Sequence, residues 1–240
     1  MVQHLMEFAP KHAEVIGSEG VRKVVRLGIP RARKCGFSNR GPIRLYLELM
    51  SMFGSDFATD PMFPWAPGSL ADPDESTQMS RADALHAAVL EYLEKVAGPN
   101  NEYSLRALEK LSEATTSEFP HTMDGVETAI ITGLRKFYPE KAEVAGEARL
   151  LTLIGKGRSW AAQVPTSRPE ALGVLVDMMF AIGHGAANDP LFPWVSGTLA
   201  DQSLGTPDAR IAKLFSRSMA YLRRALPYLK ERNANVSGGK

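Results

Sequence analysis

The chain has 240 residues, of which 44% are hydrophobic, 23% charged and 8% aromatic, the composition of an ordinary globular protein of one or two domains. Its mean hydropathy is −0.16, and its longest apolar run, 171–182, is interrupted by Asp177 and falls short of the roughly 20 residues a bilayer span needs, which excludes a membrane helix. The formal net charge is +1, but residues 1–50 carry 9 basic and 4 acidic side chains, residues 51–130 carry 4 and 14, and residues 131–240 carry 15 and 9, so the middle of the chain is strongly acidic.

In chain order, 18–34 places Val21, Val24, Val25 and Gly28 at helical spacing, with Ser18 as a start signal and Pro30 expected to kink or end the helix. Residues 43–53 are apolar nearly all round, as a buried central helix requires, and Gly54 is placed to cap it. The loop Asp60-Pro61-Met62-Phe63-Pro64-Trp65 follows, and then an amphipathic helix over 80–96. Helical spacing returns at 103–111 and 126–134, around a polar stretch containing Pro120. A second apolar helix over 172–182 ends at Gly183 and leads into Asp189-Pro190-Leu191-Phe192-Pro193-Trp194, after which Thr206-Pro207 opens a helix over 207–230. No alternating strand pattern occurs, so the expected class is all-α.

Shifted by 129 positions, the chain matches itself. Gly54, Asp60, Phe63, Trp65, Gly68 and Asp72 fall on Gly183, Asp189, Phe192, Trp194, Gly197 and Asp201, and without a gap Phe8, Pro10, Glu14 and Gly17 fall on Phe137, Pro139, Glu143 and Gly146. The period is too long for a solenoid and points to two pseudo-symmetric helical units from an internal duplication. The expected organisation is a first unit at 1–98, a helical insert at 99–136, a second unit at 137–232 and a frayed tail at 233–240.

The duplicated loop suits a structural role. Asp60 and Asp189 precede proline and are therefore extended, with carboxylates able to accept from turn N–H groups, while Trp65 and Trp194 are set up to bury their rings. Glu48 and Asp177 occupy matching places in the two apolar helices, and a carboxylate there needs a partner; arginines of the preceding helix such as Arg26 or Arg31 are candidates for Glu48. The sharper reading, a carboxylate pair in acid/base or metal chemistry, describes a metal-dependent helical hydrolase, but the repeat fixes no histidine or third acid beside them.

No HExxH, CxxC, GxSxG or P-loop pattern is present. The histidines His4, His12, His86, His121 and His184 show no ligand spacing, and the repeat exchanges His12 for Lys141 and His184 for Ser55, so neither metal nor cofactor is expected and the chain reads as a non-enzyme. Cys35, the single cysteine, allows no intramolecular disulfide. The basic run 21–34 lacks an aromatic platform and reads as a solvated helix face, not a nucleic-acid site. The start of the chain has no basic stretch followed by an apolar one, so no secretory signal is expected and the location is expected to be cytoplasmic.

The run from Phe8 through Val21-Arg-Lys-Val-Val-Arg to Phe37, followed by Leu47-Glu-Leu-Met and Phe53-Gly-Ser-Asp-Phe-Ala-Thr-Asp-Pro-Met-Phe-Pro-Trp65, resembles an uncharacterised family of helical bacterial proteins with a Phe-Gly-x-x-Phe-x-x-Asp-Pro-x-x-Pro-Trp motif, found in gene clusters of type VI secretion effectors. The resemblance implies either an immunity protein that neutralises a cognate bacterial effector toxin or a chaperone or adaptor that loads an effector, and it carries over no catalytic residue. Complementary charge would suit a basic toxin such as a nuclease, and the contact is then expected around Asp72, Asp74, Glu75, Asp83, Glu91, Glu94, Glu102 and Glu109. No direct contact with nucleic acid or membrane is expected.

Overall fold

The computed structural model describes residues 1–71, 77–166 and 168–237; it is all-α, with no strand among the described residues. None of its helices is long and apolar enough to cross a membrane. The chain forms two compact units, one of residues 1–90 and 178–197, the other of residues 91–177 and 198–240. The second Asp-Pro-x-Phe-Pro-Trp loop thus belongs with the first.

In the first unit, helix α1 (Val2–Phe8) and helix α2 (Pro10–Lys34) pack on each other and on α3 (Arg40–Phe53). The break in α2 falls at Gly17, whose φ of 70° no other residue type adopts cheaply, and not at Pro30. The expected kink at Pro30 does not occur. The turn beyond it is anchored from outside the helix, Arg31 donating to the Ser55 carbonyl and pairing with Asp56 at 2.9 Å. Ala32 packs there fully buried. Gly28 lets α2 approach α3 closely, since a Cβ there would meet Leu47 Cδ2 at 2.3 Å.

α3 buries Ile43, Tyr46, Leu47, Leu49 and Met50, as its all-round apolar sequence requires. After Gly54 a single 3₁₀ turn at Phe57–Thr59 leads to Asp60, and Trp65 opens a short helix, α4 (Trp65–Leu70), where the sequence suggested only loop. Helix α5 (Gln78–Ala97) follows.

The second unit holds α6 (Glu102–Ser112), α7 (Val126–Phe137), α8 (Pro139–Ala145), α9 (Glu147–Ala161) and α12 (Pro207–Ser237), and the unit boundaries fall inside α5, α10 (Pro169–Ile182) and α11 (Pro193–Ala200). α7 packs on α8 and α9, and α6 on α12. The core gathers Leu150, Leu153, Ile154 and Leu175, all fully buried, with Phe119 edge-on to Phe215 at 5.6 Å. α12 continues to Ser237, into the stretch expected to fray.

Candidate functional site

The two Asp-Pro loops are tied to each other inside the first unit. Asp60 Oδ1 accepts from the Met62 N–H at 2.8 Å, closing its own turn, while Oδ2 accepts from the His184 N–H at 2.7 Å. Asp189 does the same in reverse, Oδ1 accepting from Leu191 N–H at 2.9 Å and Oδ2 from Ser55 N–H at 2.7 Å. Each carboxylate therefore holds one donor of its own loop and one of the other. Both are buried, and charge-assisted bonds of this kind are among the stronger ones in a fold.

The close approach rests on glycine. A Cβ on Gly54 would stand 2.6 Å from the Ile182 carbonyl oxygen, and one on Gly183 would stand 2.8 Å from that of Phe53. Burial pushes the Asp189 carboxyl up, against the pull of the N–H groups of Ser55 and Leu191. Trp65 is half-buried, set among Phe53, Phe57 and Phe63 at centroid distances of 5.5, 6.1 and 5.7 Å, and Trp194 is likewise half-buried.

The same loops bring together a hydroxyl, an imidazole and a carboxylate that no spacing in the sequence joins. Thr59 Oγ1 lies 3.5 Å from His184 Nε2, and His184 Nδ1 lies 3.4 Å from Asp60 Oδ2. This order would suit a relay for nucleophilic attack, but the Thr59 hydroxyl donates to the Asp56 carbonyl at 3.2 Å and so directs its proton away from the imidazole. The geometry favours a lock over a nucleophile.

Glu48 and Asp177 have different surroundings. Glu48 Oε1 lies 2.5 Å from His4 Nε2 and accepts from Arg44 Nε at 3.1 Å; Arg26 and Arg31 turn elsewhere, to Glu19 and to Asp56. Asp177 is 8% exposed and lines a cavity of about 20 Å³ with Phe119, Ile130, Gly133, Phe137 and Gly173. Burial pushes its carboxyl up to about 7, with the charge of Lys141 pulling the other way. No group of three or more potential metal ligands occurs among the described residues.

Of the expected partner-binding acids, Asp72, Asp74 and Glu75 lie outside the described residues. Asp83, Glu91 and Glu94 are exposed on α5, Glu91 pairing with Lys95 at 2.7 Å, and Glu102 is exposed in the first turn of α6. Glu109 is half-buried and bound to Lys230 at 2.6 Å. The outward face of α5 runs through Met79, Asp83, His86, Leu90 and Glu94, all exposed, Met79 by 50% and Leu90 by 53%, while Ala82, Leu85, Val89 and Tyr92 are buried on the opposite face.

Comparison with known protein families, with curated proteins and with solved structures finds no match to this chain.

Sequence reasoning did not find His4, Arg44 or the buried arginines Arg81 and Arg210. The signal for the last two was present, since they stand 129 residues apart. Arg81 donates to the carbonyls of Cys35 and Gly36 at 3.0 and 3.2 Å, capping the end of α2. Arg210 donates to Gln202 at 3.0 Å.

Proposed function

We propose that the chain is a partner-binding protein, an immunity protein that neutralises a bacterial effector toxin, with the outward face of α5 as its contact. The supporting observation is that face itself. Two large apolar side chains stand half out of the protein between exposed carboxylates, the pattern of an apolar contact with an acidic rim, which suits a basic toxin such as a nuclease. The resemblance to proteins of type VI secretion clusters supports the same role. The chain then acts by occupying its partner and carries out no turnover of its own.

We also read the two halves as copies of one ancestral unit. Helices α3 and α10 begin and end 129 residues apart, α5 and α12 begin 129 apart, Ala9 and Tyr138 share φ −128° with ψ of 64° and 62°, and Gly17 and Gly146 have φ of 70° and 74°. Independent origin would have to repeat these coincidences one by one.

The test is co-expression with the neighbouring effector gene, reading host survival and effector secretion separately. Immunity predicts rescue of growth with secretion unchanged; loss of secretion without rescue would assign the loading role instead. A variant carrying Asp83→Lys, Glu94→Lys and Glu102→Lys should keep its helical circular dichroism and associate about tenfold more slowly at low salt. Unchanged association would remove α5 from the interface.

A further inference from the structure

The outward face of α2 carries one sign of charge. Arg22, Lys23, Arg26, Arg33 and Lys34 are all exposed, in two adjacent rows that run about 16 Å along the helix, while Val21, Val24, Val25, Gly28 and Ala32 are buried on the opposite side. Glu19 is the one acidic residue between positions 18 and 34, and it pairs with Arg22 at 3.3 Å and with Arg26 at 3.0 Å. Lys23, Arg33 and Lys34 meet no acid among the described residues. The fold does not ask for this charge. The negative end of the helix favours Arg33 and Lys34, but Arg22, Lys23 and Arg26 stand farther back, where like charges four residues apart repel. In α9 and the turn that ends it, the positions 129 residues on hold Leu151, Thr152, Gly155, Ala162 and Gln163, all exposed and none charged, and that helix still buries Leu150, Leu153 and Ile154.

We infer that this face of α2 is a docking surface for an acidic protein segment, a run of Asp and Glu side chains presented by a partner. Charge complementarity selects it, and Glu19 shows the chemistry. Its single carboxylate is shared by two guanidiniums, which hold its carboxyl below the ordinary value, and guanidinium with carboxylate is the pairing such a fork matches best. A partner carboxylate takes the place of Glu19, and its neighbours meet Lys23, Arg33 and Lys34. Nucleic acid fits less well, because a fixed carboxylate lies in the path of the phosphates and the exposed face has no aromatic ring on which a base could stack. Exposed ion pairs are individually weak, so the face acts as a group, through the summed field of its cations. It is opposite in sign to the α5 face and shares no residue with it, and the inference does not rest on the immunity reading.

Fluorescence anisotropy of a labelled peptide of alternating Glu and Ala, about 20 residues and so long enough to span the face in helical or extended form, tests this with the full chain at neutral pH. The ionic strength is held at about 0.15 M, where exposed charges are screened beyond about 8 Å. Saturable binding is expected, and none for the matching peptide of Gln and Ala. Arg22→Gln, Lys23→Gln and Arg26→Gln together should weaken it about tenfold with helical circular dichroism unchanged, and Arg33→Gln with Lys34→Gln should weaken it separately. Lys110→Gln, Lys156→Gln and Lys213→Gln together remove the same charge from α6, α9 and α12 and should change binding by less than about twofold. Glu19→Gln should tighten binding about threefold by freeing two guanidiniums, whereas Glu143→Gln, at an exposed position of α8, should not. The peptide has no basic group and does not report on the α5 contact, so either reading can fail alone. Equal loss in the α6, α9 and α12 variant would reduce the effect to net charge, and absence of saturable binding would leave a solvated helix face. A DNA duplex of about 20 base pairs that binds more tightly than the peptide, and is released by the same α2 substitutions, would assign nucleic acid instead. Each of these three outcomes overturns the inference.

Discussion

A carboxyl whose pKa is pushed from 3.8 to about 7 by burial favours its protonated form in the folded state. The sign follows from linkage. Below pH 4 Asp177 is protonated folded and unfolded, and its contribution is fully favourable; as pH rises toward 7 the unfolded chain ionises first, and that contribution is lost, by on the order of 4 kcal/mol above pH 7. Asp177→Asn, which cannot ionise, should therefore gain stability over the parent as pH rises from 4 to 8, read from urea unfolding at each pH. Asp189 is shifted in the same direction by burial, whereas His12, edge-on to Phe192 and lowered by burial, works the opposite way and costs stability below about pH 6.5. The parent curve is thus a sum of opposing groups, and the difference between the two proteins isolates Asp177. A difference that stays flat from pH 4 to 8 would mean that water reaches this carboxylate freely.

At the scale of elements, most of the helices were legible because their sequences carry a period. The apolar runs at 43–53 and 172–182 became α3 and α10, each three residues longer at its start, and 80–96 became α5. What escaped was set by contacts distant in sequence. α2 runs on past Pro30 because Arg31 is held by residues 24 and 25 positions away, and Glu48 finds its imidazole 44 residues back, on α1. The mutual grip of the two loops was invisible as well, since each loop looks complete by itself: the carboxylate has one oxygen for its own turn, and only the structure gives the second oxygen a donor from the other loop. The glycines at that grip provide the sharpest test. Gly54→Ala and Gly183→Ala combine a φ of 92° or 104° with a Cβ driven onto a backbone carbonyl that has no side-chain freedom to yield, and each should cost 3 kcal/mol or more, on the order of strain plus clash together. Gly155→Ala, at an exposed helical position with open space around the Cβ, should instead stabilise by about 0.5 to 1 kcal/mol. Chemical denaturation of the three variants separates local strain from a general intolerance of alanine.

For the whole molecule, the first compact unit joins residues 1–90 to residues 178–197, a segment from far along the chain. This has a consequence for fragments. A chain of residues 1–136 keeps α1 to α5 but lacks Gly183, His184 and Asp189, so Ser55 N–H loses its acceptor, Asp60 loses one of its two donors, and the wall that Leu191 and Phe192 provide beside His12 is gone. Buried polar groups left without partners cost about 1 to 3 kcal/mol each, a large share of the 5 to 15 kcal/mol that holds a typical domain. Residues 1–136 alone should therefore show helical circular dichroism without a cooperative thermal transition. Mixing them with residues 137–240 should restore that transition, and restoration should fail when the second fragment carries Asp189→Ala together with Gly183→Ala, because both loops then lose their crossing bonds. A sharp, reversible transition in residues 1–136 by themselves would show that the crossed carboxylates contribute little, and that the first half folds as the self-sufficient unit its sequence alone describes.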